Sequence, residues 1–228
     1  MPSFLIMIIV YSCSKLYEKY AKISIESVLK HNPDADIKIV CKEKLDLPYE
    51  QITVNQDKKV LDGKIHPSWE GNAKLFFEQL PYDKIIYLGA DTICLGSLQE
   101  MWDIPCEYIN ACKSHNYGKI QAQQLGIPYY INVDSMVMNL DALRKDNFKN
   151  KAFAVMDKIY NKVDLWCNEE SMINYAFHNK IKLLPQKFNV AVDRAYDEDI
   201  KDPVILHFIG PDKRRMYESN HINLCTGK

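Results

Sequence analysis

The feature that most constrains this chain is its opening. A continuous apolar run, Phe4–Val10 (FLIMIIV), is followed by a helical segment and a second strand-like run at Asp36–Cys41. A run without polar alternation belongs to a strand covered on both faces. Between the two runs, Tyr17, Ala21, Ile25, Val28 and Leu29 form one stripe of a helix predicted over Tyr17–Lys30. His31-Asn32-Pro33 ends it, because proline cannot continue a helix and restrains the residue before it. Strand, helix, strand in this order predicts a parallel sheet with right-handed crossovers. The seven apolar residues of the opening run are too few to span a bilayer, and no basic stretch precedes them as in a secretory signal.

The alternation continues. A helix is expected near Asn72–Gln79, a strand at Lys84–Leu88 and a strand around Tyr130–Asn139. Helices are expected around Lys151–Tyr160 and from Asn168, and a last strand at Val204–Phe208. With no repeat, low-complexity segment or linker, residues 1–228 read as one α/β domain, a mostly parallel central sheet flanked by helices. A net charge of −1, from 29 basic and 30 acidic residues, gives no support for a dedicated nucleic-acid-binding module. The seven cysteines (Cys13, Cys41, Cys94, Cys106, Cys112, Cys167 and Cys225) are odd in number and contain no C-x-x-C pair. That pattern fits reduced thiols in the cytoplasm better than a disulfide framework, so a soluble cytoplasmic protein without a transmembrane segment is expected.

No G-x-G-x-x-G follows the first strand, and the P-loop, H-E-x-x-H and G-x-S-x-G patterns are all missing. The chemistry must come from elsewhere. Asp91 stands three residues past Leu88, where ligands of open α/β sheets gather. A hard carboxylate there suits Mg²⁺ or Mn²⁺ on a diphosphate, and equally suits a turn that bonds its own backbone. His207 lies in the apolar VILHFIG segment and reads as either a satisfied core residue or a ligand. Gly210 and Lys213 follow it, the one permitting close backbone approach and the other supplying a point charge for phosphate. Asn168-Glu169-Glu170 is a good helix start that could also face a cleft.

These residues stand in an order that resembles glycosyltransferase family 8, the glycogenin-like retaining transferases with a GT-A fold, also called the nucleotide-diphospho-sugar transferase fold. The stretch AKLFFEQLPYDKIIYLGADTICLGSLQEMW resembles the family's central region, a basic residue on a helix and then a strand ending in D-x-D-T. YINVDSMVMNL is similar to its Y-F-N-x-G-V-x-x-x-N segment, CNEESMINYAF to D-Q-x-x-x-N, KLLPQKFN to L-P-x-x-x-N, and HFIGPDK to H-F-x-G-x-x-K. The first strand and SVLKHNP fit as well, so the likeness covers nearly the whole chain.

The resemblance implies that Asp91 and His207 bind Mn²⁺ or Mg²⁺. It places Lys74 and Tyr17 at the nucleotide and Gly210 and Lys213 at the diphosphate. Asn132, Asp134, Glu169 and Glu170 would face the donor sugar. Three departures stand out: Gly89 where the first Asp of D-x-D belongs, Asp134 at a usual glycine, and Glu170 for a usual glutamine. Lys213-Arg214-Arg215 also replaces the usual Lys-Pro-Trp ending.

The expected activity is retaining transfer of a hexose from a UDP-sugar to an acceptor hydroxyl. The acceptor is open among glycan, lipid-linked sugar, protein and modified nucleic acid. Glu170 and Asp134 are the candidate catalytic residues, with a Glu170 carboxylate competent as nucleophile and direct front-face transfer equally open. Two other functions compete. One is a non-catalytic or hydrolysis-only nucleotide-sugar binder, since Gly89 removes a metal ligand. The other is a nucleotidyltransferase, which would want a Gly-rich basic loop where this chain has Tyr11-Ser12-Cys13-Ser14-Lys15.

Overall fold

In the computed structural model the described residues are 6–56, 68–160, 168–192, 194 and 200–217. Phe4 and Leu5 of the opening run, Cys167 and Cys225 lie outside them. The chain begins with β1 (Ile8–Ser12), α1 (Glu18–His31), β2 (Asp36–Val40) and β3 (Glu50–Ile52). α2 (Trp69–Ala73), capped by the Ser68 hydroxyl accepting from the Gly71 N–H, passes directly into a 3₁₀ stretch at Lys74–Gln79. Next come β4 (Lys84–Leu88), β5 (Thr92–Cys94), α3 (Gln99–Asp103), β6 (Ile109–Lys113), α4 (Tyr117–Leu125) and β7 (Ile131–Asn139). The helices α5 (Leu140–Lys145), α6 (Phe148–Ala154), α7 (Met156–Tyr160) and α8 (Asn168–Phe177) lead to β8 (Ile181–Leu183), β9 (Val190–Ala191) and β10 (Ile205–His207).

A seven-stranded sheet runs in the order β3-β2-β1-β4-β7-β6-β8. β7 is antiparallel to both β4 and β6, and the other pairings are parallel. Both faces are buried, as the apolar runs require. Val10, Ile85, Tyr87, Met136 and Met138 enter the core that holds Phe76, Phe77 and Phe148. Their neighbours Ile9, Tyr11, Ile86, Leu88 and Val137 enter the opposite core, against Ile25 and Val28 of α1. A strand's side chains alternate between faces, so each run feeds two cores at once.

The structure departs from the sequence reading in several places, among them β3, β5, β6, α4, β8 and β9, which the sequence reading did not contain. The last strand pairs outside the main sheet, in a three-stranded sheet of order β5-β10-β9. The single helix expected over Lys151–Tyr160 is two, α6 and α7, with β-branched Val155 between them. An additional helix, α5, starts where the Asn139 side chain accepts from the Ala142 N–H. Among the described residues no helix is long and apolar enough to cross a membrane.

Candidate active site

Beyond β4 the chain turns through Gly89-Ala90-Asp91. The Thr92 hydroxyl donates to the Gly89 carbonyl at 2.9 Å and meets the Ser24 hydroxyl at 3.1 Å. Ser24 in turn meets the Tyr11 hydroxyl at 3.0 Å. Buried hydroxyls from β1, α1 and β5 thus fix the turn that presents Asp91. The Phe208 N–H donates to the Asp91 carbonyl at 2.9 Å, which brings the end of β10, and His207 with it, onto Asp91. Because β7 runs antiparallel, its first residues lie beside the end of β4: Leu88 pairs with Ser135, and the Gly89 N–H donates to the Asp134 carbonyl at 2.8 Å. Three segments far apart in sequence meet at the carboxyl end of β4.

His207 is buried, with Nε2 3.4 Å from Asp91 Oδ1 and 3.8 Å from Asp134 Oδ2. Lys213 Nζ holds Asp91 Oδ2 at 2.9 Å and lies 4.7 Å from the Tyr17 ring centroid. Lys74 Nζ, fully inside, holds Asp134 Oδ1 at 2.9 Å and approaches Glu169 Oε1 at 3.7 Å. Burial alone would raise the Asp91 carboxyl, but His207 and Lys213 hold it well below the usual carboxylate range. Burial would lower the Lys74 ammonium, and Asp134, with Tyr87 and Glu169, holds it well above the usual lysine value. Burial likewise opposes charge on His207, yet Asp91 and Asp134 raise it.

A chain of amides fixes the tautomer of His207. The backbone N–H of Asp134 donates to Asn132 Oδ1 at 3.1 Å, so that atom must be an oxygen. Asn189 Nδ2 donates to the same oxygen at 2.8 Å. Asn189 therefore turns its own oxygen to His207 Nδ1, 3.2 Å away, and Nδ1 carries the proton. Nε2 then faces two carboxylates. It is protonated, or its lone pair points at a cation held between them.

At the other end of the chain, Asn132 Nδ2 donates to Glu170 Oε2 at 3.3 Å, and the Val133 N–H donates to the same oxygen at 3.1 Å. Burial, with the Asp134 charge, pushes the Glu170 carboxyl up to about 8 despite the Val133 bond. Glu169 is buried, and its Oε2 has no hydrogen-bond partner among the described residues. Gly210 adopts φ 63°, a left-handed conformation that favours glycine, and a Cβ there would meet nothing within 4 Å. Its role is to turn the chain into the 3₁₀ stretch Gly210–Tyr217 that carries Lys213.

The structure brings together Asp91, Asp134, His207, Lys213, Lys74 and Tyr17, and links Asn132, Glu169 and Glu170 to them. Sequence reasoning gave Asn189 no role, although it is the final residue of KLLPQKFN, the segment that resembles L-P-x-x-x-N.

Among the described residues no three His, Cys, Asp or Glu side chains form a ready metal cage, and lysines hold the outer carboxylate oxygens. The donor set nonetheless fits Mn²⁺ or Mg²⁺. These ions need only one or two carboxylates when substrate phosphates complete the shell. An imidazole whose second nitrogen is held by an amide oxygen is the usual arrangement of a ligating histidine.

Known proteins resemble this chain in sequence and in fold. The sequence pattern of "Glycosyl transferase family 8" matches residues 73–214, more than half of the chain. A putative glycosyltransferase of Haemophilus influenzae is 24% identical over 97% of this chain and 76% of its own length. The lipopolysaccharide 1,3-galactosyltransferase of Salmonella typhimurium is 24% identical over 58% of this chain, a match spanning 44% of that enzyme. The structure of galactosyltransferase LgtC in complex with donor and acceptor sugar analogues superposes with a TM-score of 0.76, at 17% identity, covering 90% of this chain and 88% of that one. GlyE of Streptococcus pneumoniae superposes at 0.68, also at 17% identity, over 91% of this chain and 55% of that one. The fold is therefore the GT-A fold of LgtC. The matched stretch runs from beside Lys74 to just past Lys213 and includes every residue gathered at the end of β4 except Tyr17, and the chain belongs to glycosyl transferase family 8.

Proposed function

We propose that this glycosyltransferase moves a hexose, with galactose the first candidate, from a UDP-sugar to an acceptor hydroxyl with retention of configuration and with Mn²⁺ or Mg²⁺. The observation that carries the reading is the meeting of Asp91, His207 and Lys213, an oxygen ligand, a nitrogen ligand and a phosphate-binding ammonium on one spot. Galactosyl transfer is drawn from the names of the Salmonella relative and of LgtC. Asp91 and His207 would hold the ion, which when bound polarises the diphosphate and stabilises charge on the leaving UDP.

The protein's own groups do the rest. Lys213 releases Asp91 Oδ2 to bind a diphosphate oxygen, and the Gly210 turn sets its position. Tyr17, against Lys213, lines the nucleotide side. Lys74 holds the carboxylates of Asp134 and Glu169 and adds positive charge beneath the nucleotide-sugar. Asn132, Glu169 and Glu170 lie on the sugar side of the site, with Glu169 buried against Lys74. The acceptor oxygen bonds to the anomeric carbon, the bond from that carbon to the diphosphate breaks, and its electron pair leaves on UDP. The acceptor proton passes to the departing phosphate oxygen. A Glu170 that is largely neutral at pH 7 supports this direct front-face route over a covalent intermediate. Work in the cytoplasm is supported by the free thiols of Cys13, Cys41, Cys94, Cys106 and Cys112.

The test is UDP release from UDP-galactose, UDP-glucose and their N-acetyl forms, with Mn²⁺ or with chelator. Metal-dependent release, lost in Asp91→Asn and His207→Ala while circular dichroism stays native, is expected. Binding of UDP-sugars without release, with or without candidate acceptors, would favour a non-catalytic binder. Neither binding nor release across the panel would overturn the reading.

A further inference from the structure

We propose that Asp134 supplies the second metal-facing carboxylate of this chain, displaced from the end of β4 to the position paired with it on β7. The inference rests on the metal-dependent reading above and goes beyond it by assigning a ligand in place of the missing first Asp of D-x-D.

Gly89 and Asp134 face each other across the β4–β7 pair, joined by the bond from the Gly89 N–H to the Asp134 carbonyl. They also compete for one space. A Cβ built on Gly89 would lie 2.9 Å from Asp91 Oδ1, 3.0 Å from Asp134 Cβ and 3.4 Å from Asp134 Cγ. Backbone conformation does not demand the glycine, since the left-handed glycines of the described residues are Gly126 and Gly210. What crowds the position is the Asp91 carboxylate on one side and, across the strand pair, the Asp134 side chain, whose Cβ cannot swing away as a carboxylate oxygen can. A family that carries a carboxylate on one strand and glycine on the other is met here by the reverse pair, and the carboxylate enters the same volume from the opposite side.

The two oxygens of Asp134 have different partners. Oδ1 is held by Lys74, while Oδ2 faces His207 Nε2, the atom on which Asp91 Oδ1 also converges. A carboxylate present only to neutralise Lys74 would not need the second contact, and Glu169 already stands 3.7 Å from that ammonium. Lys74 is thus the positioning residue. It pins one oxygen so that the other is directed toward His207 and Asp91.

Mn²⁺ is titrated in saturating UDP, with free Mn²⁺ read by electron paramagnetic resonance and the folded fraction by circular dichroism. The proteins are the wild type, Asp134→Asn, Asp134→Gly, Gly89→Asp, and the exchange of Gly89→Asp with Asp134→Gly. Loss of the carboxylate in Asp134→Asn, which keeps shape, should weaken Mn²⁺ binding at least about tenfold, as should Asp134→Gly. Gly89→Asp alone should not tighten it, because its Cβ is crowded by the two existing carboxylates. The exchange should recover affinity to within about threefold of wild type, a non-additive result that only a shared position produces. Wild-type affinity in Asp134→Asn, tighter binding in Gly89→Asp alone, or an exchange no better than Asp134→Gly would each overturn the assignment. A wild type that takes up no Mn²⁺ with UDP would instead sink the metal-dependent reading itself.

Discussion

Replacing Glu170 with glutamine should stabilise this protein, and by an amount that depends on pH. Each pH unit separating the folded from the unfolded value of a group is worth about 1.4 kcal/mol. The displacement of the Glu170 carboxyl from an ordinary 4.5 to about 8 therefore bounds the cost of ionising it in the folded chain at about 5 kcal/mol. The sign follows from which state holds the proton. Below pH 4.5 both states are protonated and the wild type carries no cost. Between pH 4.5 and 8 the folded state holds more protons than the unfolded one, so stability falls as pH rises, and above 8 the full cost is present. Glu170→Gln keeps the acceptor for the Val133 N–H and the Asn132 amide but cannot ionise. Urea unfolding in chelator at pH 5, 6.5, 8 and 9 should give a variant-minus-wild-type difference of about 1 kcal/mol or less at pH 5 that grows toward at most about 5 kcal/mol at pH 9, roughly 10–20 °C in Tm. Transfer at pH 7 should survive the substitution, because the neutral acid and the amide present similar hydrogen-bonding groups. Parallel stability profiles would show that Glu170 is ionised throughout. A variant inactive at pH 7, with wild-type activity rising through pH 8, would restore the covalent nucleophile.

Asn189→Ala removes the oxygen that holds His207 Nδ1–H and should weaken Mn²⁺ binding 10–100-fold in the same resonance titration; unchanged affinity would show that the tautomer is set elsewhere. UDP at a hundred times its dissociation constant should add about 2.7 kcal/mol of stability with Mn²⁺ present, and equal stabilisation in excess chelator would refute a metal bridge between diphosphate and Asp91. Lys213→Met should lower UDP affinity about tenfold and flatten its salt dependence. If calorimetry finds UDP binding intact, Lys213 serves only Asp91.

The parts of this fold written in local periodicity were legible. Lys84–Leu88 forms over the expected residues because the apolar run Ile85–Leu88, between a turn and a glycine, has one good fate, a strand buried on both faces. The helix over Tyr17–Lys30 is legible for the matching reason, a stripe at helical spacing ended by Asn32-Pro33. Short edge elements were not, since β3 and β8, with three residues each, hold too little pattern to rise above their loops. Nor could β10 be assigned to its own small sheet. Its partners β5 and β9 are three and two residues long and are recruited by pairing, not by composition.

The candidate site was legible as residue identities and illegible as geometry. Asp91, His207 and Lys213 stood out because each occurs in a short segment whose order is informative, and the fold brings those segments together. Asn189 did not stand out, because an asparagine beside a strand has many ordinary uses, and only the amide chain from the Asp134 N–H to His207 gives it one. The same holds for the departures. Read along the sequence, Gly89 is a lost ligand and Asp134 an unrelated oddity, 45 positions away by their numbers. Antiparallel pairing of β4 with β7 makes them neighbours, and once they are neighbours a gain and a loss occupy one volume. A missing ligand in a linear motif is therefore weak ground for calling a site defective. The question a sheet poses is which residue faces the gap across the strand, and here it is a carboxylate.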